Sequence, residues 1–188
     1  YEGTTDKPTI LNPTQHSYFN LSGSFENTIL DHLLMIAADR ITPVDNSLIP
    51  TGQIVDVADT PMDFRMPMAI GAHIDDQNEQ LGFGKGYDHN WVLKGSAGKA
   101  RKAAELYEAG SGRLMTVFTD QAGLQFYSGN FLDGSAVGKN GVTYKHRSGL
   151  CLEAQAFPDT PNKPQFGSVL LRPGQTYRQT TIYQFSTK

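Results

Sequence analysis

One cysteine, no surplus of positive charge and no long apolar run narrow what this 188-residue sequence is able to be. Cys151 has no second cysteine to pair with, which excludes an internal disulfide. Its place in an apolar stretch fits a reducing compartment, and a cytoplasmic setting is the expectation. Lys and Arg number 16 against 19 Asp and Glu, a net charge of -3. That balance leaves no basic footprint for nucleic acid and no attraction to an anionic membrane. The longest apolar run, Leu33 to Ala38, stops at Asp39-Arg40, far short of the ~20 residues that a membrane-spanning helix needs.

Several catalytic signatures are also missing. The glycine-dense GFGKG at 82–86 lacks the preceding strand, the following helix and the GK[ST] ending of a phosphate loop. The histidines at 16, 32, 73, 89 and 146 form no HExxH pair and have no paired cysteines, so neither a structural zinc site nor a metal cofactor is expected. There is no GxSxG elbow, and Cys151 shows no sign of a catalytic dyad. The opening YEGTTDKPTI has neither an initiating methionine nor a signal-peptide pattern, and goes directly into strand-like residues. A piece of a longer polypeptide is the expectation.

What the sequence does contain is turns. Asn12-Pro13, Ser22-Gly23, Pro50-Thr51-Gly52, Ser111-Gly112, Asp133-Gly134, Asn140-Gly141 and Pro173-Gly174 separate short stretches rich in β-branched and aromatic residues. SVLLRPGQTYRQTTIYQF reads as a hairpin about Pro173-Gly174, and AAELYEAGSGRLMTVFT as a second about Ser111-Gly112. KARKAAELYEAG has helical propensity, but the alternating RLMTVFT after it supplies a strand partner. Only PMAIGAHI, with Ile70 and Ile74 four apart, suggests a turn or two of helix. The expectation is an all-β antiparallel sandwich or barrel forming one unit over 1–188.

Four stretches put polar or ionisable residues beside aromatic rings. TQHSYFNL, read as strand, places His16, Tyr18 and Asn20 on one face; GYDHNWVL offers Asp88; LQFYSGNF presents Gln125, Tyr127 and Phe131; CLEAQAFPD supplies Glu153. Carboxylates, amides and an imidazole among rings suit a sugar, whose hydroxyls take hydrogen bonds while a C–H face packs on an aromatic. Each stretch also has an ordinary reading. A strand glutamate is usually solvated on an outer face, a histidine usually bonds a loop carbonyl, and Asp88-His89 after glycines has the look of a turn.

Taken in order, NPTQHSYFNLSG, DHLLMIAADRITPVDNSLIPTG, MDFR, GYDHNWVL, LQFYSGNFLDG, GLCLEAQAFPDTPN and LLRPGQTY resemble the aldose 1-epimerases, the galactose mutarotase family. The resemblance runs from about Asp6 to the C-terminus and corresponds to the family's C-terminal half or slightly more. It implies a large antiparallel β-sandwich with a monosaccharide on one concave sheet and no cofactor. It also implies a catalytic pair, His16 and Glu153, facing one another across a sugar-sized hollow, with Ser17, Tyr18, Asp88 and Gln125 binding substrate. The reaction implied is the interconversion of α and β anomers of free hexoses such as galactose or glucose. The family also uses an arginine and a second histidine from an N-terminal half that this chain lacks. The expected partner is therefore that half, and the chain alone is expected to be nearly inactive. The other readings are a sugar-binding module without catalysis, a glycoside hydrolase using Asp88 and Glu153, and a hexose-6-phosphate relative, for which the scattered arginines give no support.

Overall fold

Period-two alternation builds the centre of the structure, a computed structural model describing residues 1–188. The N-terminal strands are β1 (Glu2–Gly3), β2 (Thr9–Ile10), β3 (Leu33–Ile36), β4 (Ala38–Thr42), β5 (Val55–Asp56) and β6 (Met68–Ala69). A helix, α1 (Glu79–Gly84), precedes β7 (Asp88–Leu93), β8 (Arg101–Glu108), β9 (Arg113–Thr119) and β10 (Gly123–Tyr127). The chain ends with β11 (Cys151–Gln155), β12 (Leu170–Leu171), β13 (Tyr177–Arg178) and β14 (Thr181–Thr187).

Two antiparallel five-stranded sheets carry the fold, ordered β11-β10-β7-β4-β5 and β14-β9-β8-β3-β6. Trp91, Leu124, Phe126, Leu152 and Ala154 of the first sheet are buried in one core with Leu34, Ile36, Ala104, Leu106, Met115 and Val117 of the second. At its centre Phe64, Tyr87, Trp91 and Phe126 pack in edge-on, tilted and stacked contacts with centroids 5.1 to 6.3 Å apart. The indole Nε1 donates to the Met62 carbonyl at 3.1 Å and the Tyr87 hydroxyl to the Pro61 carbonyl at 2.9 Å, so neither ring buries an unpaired polar atom. The sandwich expected from the turns and strands is the one observed, and the helical-propensity stretch is strand β8.

Three local expectations need correction. The turn at Pro173-Gly174 closes, with the Gln175 N–H on the Arg172 carbonyl at 3.0 Å, but its arms do not pair with each other. β12 pairs with β2, β13 with β1, and β14 with β9. Strands far away in the chain won the backbone groups that a hairpin would have used. PMAIGAHI begins as strand β6 and makes one 3₁₀ turn, Ile70–Ala72, rather than α-helix, with Ile70 and Ile74 both buried. The one α-helix is α1, whose Asn78 cap accepts from the N–H groups of Gln80 and Leu81. Gly82 and Gly84 hid it by lowering the helical propensity of so short a segment. The GFGKG glycines therefore end a helix rather than open one, with Lys85 in the left-handed conformation as its C-cap.

β14 is the edge of its sheet, and Ile182 and Phe185 on it are 48% and 59% exposed. Such an edge offers unpaired backbone groups to another strand.

Phe126→Ala removes one of the four rings of the aromatic cluster, each of which touches the other three. It is expected to cost about 3–5 kcal/mol, a large part of the total of about 5–15 kcal/mol typical of a domain. Chemical denaturation monitored by the Trp91 fluorescence measures it.

Candidate active site

Residues on the outer face of the first sheet alternate with the core residues just described. Its ladders set Asp88 beside Tyr127, Asn90 beside Gln125, Gln125 beside Glu153 and Tyr127 beside Cys151. Two of the expected residues bond directly: Gln125 Nε2 donates to Asp88 Oδ1 at 2.9 Å, leaving Gln125 Oε1 with no partner in the chain. Asp88 is largely buried, which raises its carboxyl above the usual range, against the lowering effect of the Gln125 hydrogen bond and of His16.

His16 arrives from outside the sheet, and by a different route from the strand expected for TQHSYFNL. That segment forms no strand; its sole ladder contact is the bridge Phe19 to Leu150. Pro13 has no N–H to donate, and side chains take over the pairing. Asn12 both donates to and accepts from the backbone of Ala156, at 3.0 and 2.9 Å, and the Thr14 hydroxyl donates to the Ala154 carbonyl at 3.0 Å. Phe19 and Leu150 exchange backbone bonds of 2.7 and 2.9 Å at the other end. Residues 12–19 thus lie antiparallel along the free edge of β11 as a strap, and His16 stands level with Leu152, between Cys151 and Glu153.

Its ring meets both. His16 Nε2 lies 3.4 Å from Glu153 Oε1, and Nδ1 lies 3.4 Å from Cys151 Sγ. The imidazole is half exposed at 51%, whereas the Glu153 side chain is 8% exposed. Burial raises the Glu153 carboxyl to about 7; His16 pulls it down and Asp88 pushes it further up. Burial, with Glu153 and Asp88 nearby, likewise holds the Cys151 thiol well above its ordinary value. Tyr18 completes the corner, its ring 5.4 Å from that of His16 and 6.2 Å from that of Tyr127. Its phenol is raised to about 12 by burial first and then by the surrounding anions. Ser17 opens with His16 and Tyr18 into a cleft of about 530 Å³ whose far wall is Phe25, Leu132, Ala136 and Tyr144.

Asp88, Gln125 and Glu153 therefore share one face of the sheet, and the strap sets His16, Ser17 and Tyr18 beside it. The expectation about His16 and Glu153 needs adjusting, since they stand side by side rather than across a hollow. The other histidines are accounted for elsewhere. His32 Nε2 and His89 Nδ1 accept backbone N–H groups from Leu21 and Asp88, His73 pairs with Asp76, and His146 bonds the Asn130 carbonyl. Cys151, beside His16, and the cleft wall were not anticipated. The alternation of CLEAQAF already put Cys151 on the Glu153 face, but nothing local signalled the cleft.

With that geometry in hand, relatives decide the family: residues 1–184 match Aldose 1-epimerase. The chain belongs to the aldose 1-epimerase family. It is 48% identical over 186 residues to a galactose mutarotase of Mus musculus, covering 99% of this chain and 53% of the relative. Against an aldose 1-epimerase of Escherichia coli K12 the identity is 38% over 189 residues, covering 98% of this chain and 53% of that protein. Among solved structures, an aldose epimerase homologue from C. elegans superposes with a TM-score of 0.87 at 33% identity, covering 99% of this chain and 54% of the other. A galactose 1-epimerase from Lactobacillus acidophilus NCFM gives 0.85 at 30% identity, with 99% and 52% covered. This aldose 1-epimerase family chain spans about half the length of the relatives it matches.

The electrostatics predict a titration. Glu153 is expected to protonate with a midpoint of about 7, read by carboxyl ¹³C shifts, and His16→Asn should move that midpoint upward by removing the cation that lowers it. A carboxyl whose folded pKa is raised contributes stability that is full below its unfolded value and is lost as pH rises through the folded one. Glu153→Gln should therefore stabilise the fold more above neutrality than in mild acid, as thermal melts at the two pH values would show.

Proposed function

We propose that this chain supplies the acid/base pair of an aldose 1-epimerase, which interconverts the α and β anomers of a free hexose such as galactose or glucose. The observation that carries this reading is the 3.4 Å separation of His16 Nε2 and Glu153 Oε1 on a face that also holds Asp88 and Gln125. Opening a hemiacetal ring takes a proton from the C1 hydroxyl and gives one to the ring oxygen. Both oxygens are bonded to C1, so the base and acid that serve them have to stand side by side, as these two do.

Glu153, ionised, takes the hydroxyl proton while the C1–O bond to the ring oxygen breaks, and His16, as imidazolium, delivers its Nε2 proton to that oxygen. The open aldehyde turns about C1–C2. Reclosure on the other face of the carbonyl reverses both transfers and leaves the pair as it began. Burial makes Glu153 a stronger base than a solvated glutamate. Asp88 and Gln125, bonded to one another, hold hydroxyls, so the open chain stays bound while it rotates. Tyr18 and Ser17 border the hexose on the strap side. A module that only binds sugar has no use for an acid and a base in contact, which separates this reading from the non-catalytic one.

Polarimetry on freshly dissolved α-galactose and α-glucose tests the proposal, with these residues supplied in a polypeptide of the relatives' full length. Glu153→Gln and His16→Asn should each slow mutarotation by roughly 10²- to 10⁴-fold. The rate of the unmodified protein should fall on the acid side of about pH 7 as Glu153 takes up its proton. Undiminished mutarotation by Glu153→Gln would end the assignment. The 188-residue chain alone should relax the rotation scarcely faster than buffer.

A further inference from the structure

Cys151 is the member of this cluster that ring opening leaves without a task. It is fully buried, lies two residues from Glu153 on β11 and projects from the same face. His16 leans over both, so a thiol sulfur, an imidazole nitrogen and a carboxylate oxygen all lie within 4.8 Å of one another. These are the three side-chain donor types that zinc takes in proteins. Bonds of about 2.0–2.3 Å arranged tetrahedrally set zinc's donors about 3.5 Å apart. The Sγ to Nδ1 and Nε2 to Oε1 separations are both 3.4 Å.

An ion takes only one imidazole nitrogen, so one of these donors has to close in by about an ångström. The strap provides for this. Cys151 and Glu153 are held by the ladder to β10, while His16 stands on the strap with its ring half exposed. Asp88 adds a further carboxylate close enough to act on both Cys151 and Glu153. The thiol and imidazole favour a borderline or soft cation over Mg²⁺ or Ca²⁺, which take oxygen donors.

We propose that Cys151, His16 and Glu153 form a binding site for a single Zn²⁺ ion, and that the ion is an inhibitor of the chemistry at this face. Binding exchanges the S–H proton for the metal: the thiol becomes a zinc thiolate and its proton passes to the buffer, with no change of oxidation state. The bound ion ties up the imidazole lone pair and the carboxylate together. The inhibition rests on the acid/base reading above; the metal site itself does not.

Cobalt(II) separates the two. Titrated into the 188-residue chain, Co²⁺ should produce a near-ultraviolet thiolate-to-cobalt charge-transfer band that saturates at one equivalent and is erased by Zn²⁺. Cys151 is the sole cysteine, so no other residue supplies that band. Cys151→Ala should abolish it, and His16→Ala, at an exposed side chain whose loss leaves the fold intact, should weaken Zn²⁺ binding by roughly tenfold or more. Absence of the band, or Zn²⁺ affinity unchanged in His16→Ala, would overturn the site. In the full-length polypeptide Zn²⁺ should abolish mutarotation, with EDTA restoring it. A Cys151-dependent cobalt band without any inhibition would uphold the site and overturn its inhibitory role.

Discussion

The side-chain hydrogen bonds that lay residues 12–19 along the edge of β11 are what the candidate site depends on. A regular strand there would have fixed each residue by its own N–H and C=O and turned alternate side chains inward. Pro13 prevents that, and Asn12 and Thr14 supply bonds to Ala156 and Ala154 in its place. The strap therefore follows the sheet edge closely while its backbone is released from strict pleating, and His16 reaches over the face of a strand it does not pair with. The same bonds cover an edge that would otherwise be open.

Below the strap, core and site are two sides of one sheet. Trp91, Phe126 and Leu152 are packed inward, and that packing holds the strands whose outward residues are Asn90, Gln125 and Glu153. Precision at the polar face is thus inherited from close packing on the apolar one. The electrostatic consequence is an asymmetric pair. Glu153 sits deep enough for desolvation to raise its basicity, whereas His16 is half exposed and keeps contact with solvent.

Likeness to the aldose 1-epimerases extends over essentially the whole of this chain but only about half of each relative. Within that half lies a polar face that brings Asp88, Gln125 and Glu153 together with His16.

Strand content, the sandwich class and the polar-outside, apolar-inside alternation of GYDHNWVL, LQFYSGNF and CLEAQAF were all legible in the sequence, because a period of two is a property of neighbouring residues. So was the resemblance that picked out His16, Ser17, Tyr18, Asp88, Gln125 and Glu153. Tertiary structure alone decided that the two arms about Pro173-Gly174 part to different partners, and that TQHSYFNL is a strap rather than a strand. It also decided that Cys151, in a chain with no local metal-ligand spacing, meets a histidine 135 residues away. Spacing rules register only ligands that share one stretch of chain. Contacts between distant segments are set by which strands win one another's hydrogen bonds, and that competition is settled only when the whole chain has folded.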